Sequence, residues 1–221
     1  MKKLLIVLAV TMLCLNVSAQ IANTQHDLSS SSTATWNDPL LESTNITEIC
    51  VFCHTPHQPD GVTEVPLWNH TMSTAGAYGT YDDTVSPTMD ATDVTEVFGS
   101  GTTSELCMSC HDGTVAVGNL YKTPQDGTPD FGAGTGFILA TNDAYVGDDL
   151  TNDHPVNFTF DATLFGNDPG LNDPAGVAIQ ALLIGDMVQC SSCHDPHDDT
   201  NGAFLVMDNG GSALCLTCHD K

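Results

Sequence analysis

The chain has 221 residues, with 28 acids, four lysines, no arginine and a formal net charge of −24. From Gln20 onward two lysines, Lys122 and Lys221, face all 28 acids, too few to neutralise a phosphate backbone or hold an anionic lipid surface. Nucleic-acid binding is therefore excluded; the field is expected to steer metal ions or basic redox proteins toward the chain, or only to keep an exported protein soluble.

In chain order, residues 1–19 read as a secretory signal peptide. Lys2 and Lys3 form the positive start, Leu4 to Leu15 the apolar stretch, and Val17-Ser18-Ala19 the small-residue cleavage site. The apolar stretch is too short to span a bilayer comfortably, and no other segment is apolar enough to anchor the chain. The product is expected to be exported, to the cell surface or beyond it, with the periplasm as the alternative. Residues 20–221 are long enough for a single domain.

Turn-forming residues dominate that domain. Gln58 to Gly61, Ser73 to Pro87 and Lys122 to Gly136 carry Gly, Pro, Thr and Asp at loop density. Short helices are expected over Ser104–His111 and Ser212–His219, with Ser104 and Ser212 as N-caps. Asn157 to Phe160 reads as a short strand. Pro174 opens a helical pattern running to about Met187, although the same residues also suit a strand. No large sheet is expected.

Four pentapeptides punctuate this chain: CVFCH (Cys50, Cys53, His54), CMSCH (Cys107, Cys110, His111), CSSCH (Cys190, Cys193, His194) and CLTCH (Cys215, Cys218, His219). They contain every cysteine beyond Cys14. CxxCH is the attachment signature of c-type haem. One helical turn matches the two thiols to the two porphyrin vinyls, and the following histidine becomes the proximal iron ligand. Zinc ribbons use CxxC without a histidine directly after it, and a thioredoxin-type site needs a βαβ frame absent here. With nine histidines in the chain, chance would place one after all four pairs roughly three times in a million. Four covalently bound haems are implied. The expected fold is mostly irregular coil, with short helices at the attachment sites, compacted around a chain of haems. The chain alone buries too little to fold well, so the apoprotein is expected to be largely unfolded.

Five histidines remain for the sixth position of each iron: His26, His57, His70, His154 and His197. Iron gripped by imidazole on both sides passes electrons, whereas an open position admits small ligands. His57 and His197 each follow a proximal histidine by three residues and suit a neighbouring haem. His154 precedes Pro155, which holds its backbone extended. His70 follows Leu67-Trp68 and is the weaker distal candidate. All four motifs end in His, which speaks against an enzyme, since multihaem reductases mark the reactive haem by a deviant motif. Asp195, Asp198 and Asp199 read as a solvated acidic turn rather than a calcium loop. Asn45-Ile46-Thr47 and Asn157-Phe158-Thr159 match glycosylation sequons that recur by chance.

The segments CVFCHTPH, PLWNH, CMSCHDGTVAVGN, HPVNF, CSSCHDPH and LCLTCH resemble the doubled-CxxCH multihaem cytochromes c. With the HDLSS stretch at His26 and four haem sites, the chain is most similar to tetrahaem cytochromes that polymerise into extracellular conductive filaments. That resemblance implies a continuous haem chain, head-to-tail self-association, and redox partner proteins or extracellular acceptors. It also implies His26 as a ligand given to the next subunit, leaving His70 as the spare histidine. The alternative is a soluble periplasmic carrier between a quinol oxidase and a terminal reductase.

Overall fold

The computed structural model describes residues 20–34, 39–57, 67–81, 86–89 and 101–220. The signal peptide and the Gln58–Gly61 loop lie outside the described residues. Within them the chain is mostly coil with short helices, as its turn-rich composition requires. The helices are α1 (Thr103–His111), α2 (Ala162–Asn167), α3 (Val177–Gln180), α4 (Cys190–Cys193) and α5 (Ala213–Cys218), with 3-10 turns at Pro39–Leu41, Cys50–Phe52 and Gly210–Ser212. Strands β1 (Phe158–Thr159) and β2 (Met187–Val188) pair antiparallel, Phe158 opposite Val188.

The expected strand over 157–160 is present, shorter by a residue at each end. The helical pattern from Pro174 yields only α3, and the remainder turns into β2. Gly185 (φ 61°) and Asp186 (φ 64°) are both left-handed, which ends any helix and reverses the chain between Ile184 and Met187.

Two small apolar clusters replace a single core. Met89, Phe158, Phe160, Leu164, Ile179 and Val188 form one, around the β1–β2 pair. Leu41, Val117 and Ile138 form the other, with Phe131 and Cys110 packed against it. Each touches one attachment helix among the described residues, the first through Cys218 of α5 and the second through Cys110 of α1.

Candidate functional site

Each CxxCH segment coils as its spacing requires. The N–H of His54, His194 and His219 donates to the carbonyl of Cys50, Cys190 and Cys215, at 2.8, 3.0 and 3.0 Å. His111 is the last residue of α1. After His194 and His219 the backbone turns extended, so each histidine sits where a helical turn stops. None of the eight motif cysteines is paired in a disulfide.

The attachment helices are tied to one another at their N-termini. Thr102, not Ser104, is the N-cap of α1, accepting from Glu105 N–H at 3.3 Å. Ser104 is the second residue of α1, fully buried, and its Oγ accepts instead from Cys190 N–H of α4 at 3.0 Å. Gln189, the residue before α4, accepts through Oε1 from Thr103 N–H and Oγ1, both at 2.7 Å. These crossed bonds bring the Cys107 and Cys190 thiols together, and that proximity pushes the Cys107 thiol up and pulls Cys190 down. Burial lifts Cys53 to about 11. Cys53 lies in electrostatic reach of Cys107 and Cys110, and Cys193 of Cys215 and Cys218. The four motifs therefore follow one another in space in their chain order. Ser104 and Gln189 gave no motif-level signal, because a cap that reaches 86 residues away cannot be read locally. Ser212 does occupy the N-cap position of α5, left-handed and without a side-chain cap bond; Asn209 Oδ1 accepts from Leu214 N–H instead.

All nine histidines are described. His197 stands against His54 with ring centroids 6.1 Å apart and planes 13° apart. His26 stands against His111 at 6.2 Å and 76°, and His154 against His219 at 6.2 Å and 81°. A metal–imidazole bond is about 2 Å, so two rings in line on one metal put their nitrogens about 4 Å and their centroids about 6 Å apart. The residues present fit the group their motifs call for.

The tautomers agree. A carbonyl only accepts, so an Nδ1 bonded to one carries the proton and leaves Nε2 bare for a metal. His111 Nδ1 meets Ala144 O at 2.7 Å, His194 Nδ1 meets Ala203 O at 2.9 Å, and His154 Nδ1 meets Pro155 O at 2.8 Å. His26 Nδ1 reaches Pro196 O more loosely, at 3.5 Å. Burial holds His111 and His54 below the ordinary imidazole range, and burial followed by His111 lowers His26 to about 4. Neutral imidazole is the ligating form.

His194 differs. Among the described residues no imidazole stands in ring contact with it, and His57 is exposed. His70 differs again: it is buried, and its Nε2 meets Ala116 O at 3.0 Å, so the nitrogen a distal ligand would use is already committed. His26, implied by resemblance as a ligand for a neighbouring subunit, lies instead against His111 of its own chain because Pro196 and the stacked Phe204 ring, 4.2 Å away, hold it there.

The weaker motifs resolve locally. Asp195, Asp198 and Asp199 each cap a turn, accepting from His197, Thr200 and Phe204 N–H at 2.9 Å, and no group of three or more metal-ligating side chains forms a separate metal site among the described residues. Asn157 is fully buried, which closes its sequon. No described helix is long and apolar enough to cross a membrane.

No curated protein matches the chain. Residues 185–221, which contain both α4 and α5, match the family described as the doubled CXXCH motif. That match holds two of the four CxxCH turns, and the other two repeat the same pentapeptide, so the chain provides attachment sites for up to four covalent haem c groups, as in the multihaem c-type cytochromes to which the matched segment is similar.

Proposed function

We propose that this chain is an exported tetrahaem electron conduit whose irons are each held by two histidines, and that it works as the subunit of an extracellular filament. The observation that carries the electron-transfer reading is the set of opposed imidazoles, His54/His197, His111/His26 and His219/His154, at 6.1–6.2 Å. Bound haem iron supplies a one-electron ferric/ferrous couple. The chain's own residues fix the imidazoles, close the iron to substrates and order the four attachment sites in one sequence. No reacting group beyond the haem is needed, so the role is carriage and not catalysis.

The filament reading rests on the resemblance and on one imbalance. His194 lacks an opposed imidazole, and His57 is exposed with none of its own. A subunit that gives His57 to the His194 iron of the next would make ligation and head-to-tail assembly one event. His57 thus takes the donor role that the resemblance assigned to His26.

A second reading has its own support. The two CHxPH segments fold alike: Thr55 N–H donates to Leu67 O and Asn69 N–H to Cys53 O, while Asp195 N–H donates to Phe204 O and Val206 N–H to Cys193 O. His197 of one repeat reaches His54 of the other, and the reciprocal reach would bring His57 onto His194 within one chain, giving a soluble carrier. Dilution of the secreted protein under the electron microscope, with visible spectra, separates the two. The filament reading expects His57→Ala to leave discrete particles with one high-spin haem. Discrete wild-type particles carrying four low-spin haems would overturn it in favour of the carrier.

A further inference from the structure

Three of the four CxxCH histidines are followed directly by an aspartate: His111 by Asp112, His194 by Asp195 and His219 by Asp220. The fold treats the three differently. The Asp195 side chain is 49 % exposed and Asp220 is exposed, whereas Asp112 is 3 % exposed. Asp27, which follows His26, is 2 % exposed. Among the described residues Asp27 and Asp112 are the two acidic residues that the fold buries. Both adjoin one pair of opposed imidazoles, His26 and His111, at 6.2 Å. One iron site therefore has a buried carboxylate beside each of its two histidines.

The donors around these side chains suit carboxylates, which only accept. Asp112 Oδ1 accepts from Thr114 N–H at 2.8 Å and from the Thr114 hydroxyl at 2.9 Å. Its Oδ2 accepts from the Tyr78 hydroxyl at 2.7 Å and from the Ser73 hydroxyl. Asp27 Oδ1 accepts from the Ser29 N–H and hydroxyl at 3.2 and 2.6 Å, and Oδ2 from Asn23 N–H at 2.8 Å. All of these donors are neutral, so they fix each charge in place without cancelling it. Burial is the chief cause that lowers His111, and the Asp112 charge is among the groups that oppose it, so its field reaches the ring.

Reduction adds one electron to an iron, and a fixed negative charge nearby disfavours that electron. Water and salt screen exposed charges and largely spare buried ones. Asp195 and Asp220 therefore act weakly on their irons, and Asp112 acts strongly on its own. We propose that Asp112, seconded by Asp27 beside the opposite ligand, holds down the potential of the haem attached at Cys107, Cys110 and His111. This rests on the reading of haem iron held by two histidines, and it gives the conduit one site that an electron occupies less readily than its ligands alone would set.

The test measures the four potentials of the full holoprotein by spectroelectrochemistry, with haem content read by the pyridine haemochrome. Asp112→Asn removes the charge and keeps the shape. Its amide oxygen still accepts from Thr114 N–H, and the Ser73 and Tyr78 hydroxyls can turn to accept from its amide nitrogen. Expected are full haem content, a low-spin spectrum and one potential that rises. Asp27→Asn should raise the same potential by less, while Asp195→Asn and Asp220→Asn leave all four near their wild-type values. Carbon monoxide assigns the potential, because in His26→Ala it holds the His111 iron ferrous and removes that step from the titration. Tyr78→Phe keeps the charge and takes away one donor, so the same potential should fall. Opposite signs separate a field from a loosened site, which would move both variants alike. Full haem content with no potential raised in Asp112→Asn, shifts of one sign in the Asp112 and Tyr78 variants, or an equal rise in Asp195→Asn overturns the proposal and leaves the haem reading standing. A wild-type protein without haem overturns the haem reading itself. Should Asp112→Asn fail to fold, Tyr78→Phe and Ser73→Ala decide: a fall in that potential supports the proposal, and no fall overturns it.

Discussion

His197 stands 6.1 Å from His54 with the two imidazole planes 13° apart, across 143 residues of sequence, whereas the His26/His111 and His154/His219 pairs are crossed at 76° and 81°. Ring orientation splits the iron d orbitals: parallel rings give a rhombic low-spin ferric signal, crossed rings a strongly anisotropic one. Electron paramagnetic resonance of the oxidised protein is expected to show a rhombic species for the His54 iron and two anisotropic species for the His111 and His219 irons. A single uniform signal would contradict these geometries.

Removal of one distal imidazole is expected to open one iron. His197→Ala should let the reduced protein bind carbon monoxide at one haem in four, and His154→Ala likewise at another. His70→Gln should bind none, because His70 Nε2 is bonded to Ala116 O. Carbon monoxide difference spectra check all three. Binding by the His70 variant would place His70 on an iron.

Much of the site was legible because covalent chemistry is written locally. CxxCH fixes the thiols, the proximal imidazole and the one-turn coil in five consecutive residues. The coil-dominated fold followed from composition, and the β1 position from the NFTF run. What was not legible depends on contacts far apart in the chain. Ser104 looked like an N-cap by type, yet Thr102 takes that place and Ser104 serves α4. The apolar run after Pro174 fitted a helix by period, but the left-handed Gly185-Asp186 pair reverses it. Which distal imidazole faces which proximal one is set by packing among loops, and spacing alone carries no record of it.

The cap residues give a stability test. Thr102→Ala should cost about 1 kcal/mol, the usual loss of an N-cap. Ser104→Ala should cost about 1–3 kcal/mol, because it leaves the half-buried Cys190 N–H without its acceptor. Thermal unfolding of the holoproteins, read at the haem band, measures both. A Ser104 variant as stable as wild type would show that the crossed bonds between α1 and α4 contribute nothing.

Acid should act through His26. Burial, then His111, lowers it from 6.5 to about 4, so the unfolded chain takes up this proton before the folded one does. Its contribution to stability is complete above pH 6.5 and is lost as pH falls toward 4, or lower still when iron holds the same lone pair. A pH titration of the visible spectrum is expected to stay low-spin down to pH 6.5 and to lose the His111 haem's sixth ligand only in more acid solution. Loss beginning above pH 6.5 would contradict the burial argument.

Charge sets the conditions for assembly. Exported subunits, which keep all 28 acids against Lys122 and Lys221 alone, repel one another, so filaments are expected to shorten or dissociate at low ionic strength. Length distributions by electron microscopy across a salt series test this, and lengths independent of salt would remove charge repulsion as a control on assembly.

The most direct measurement is the intact mass of the purified secreted protein, taken together with its visible spectrum. Four thioether-bonded haems, one for each pair from Cys50/Cys53 to Cys215/Cys218, and a low-spin spectrum are expected. A colourless protein, or one with fewer covalent haems and no low-spin band, would contradict the account at its base.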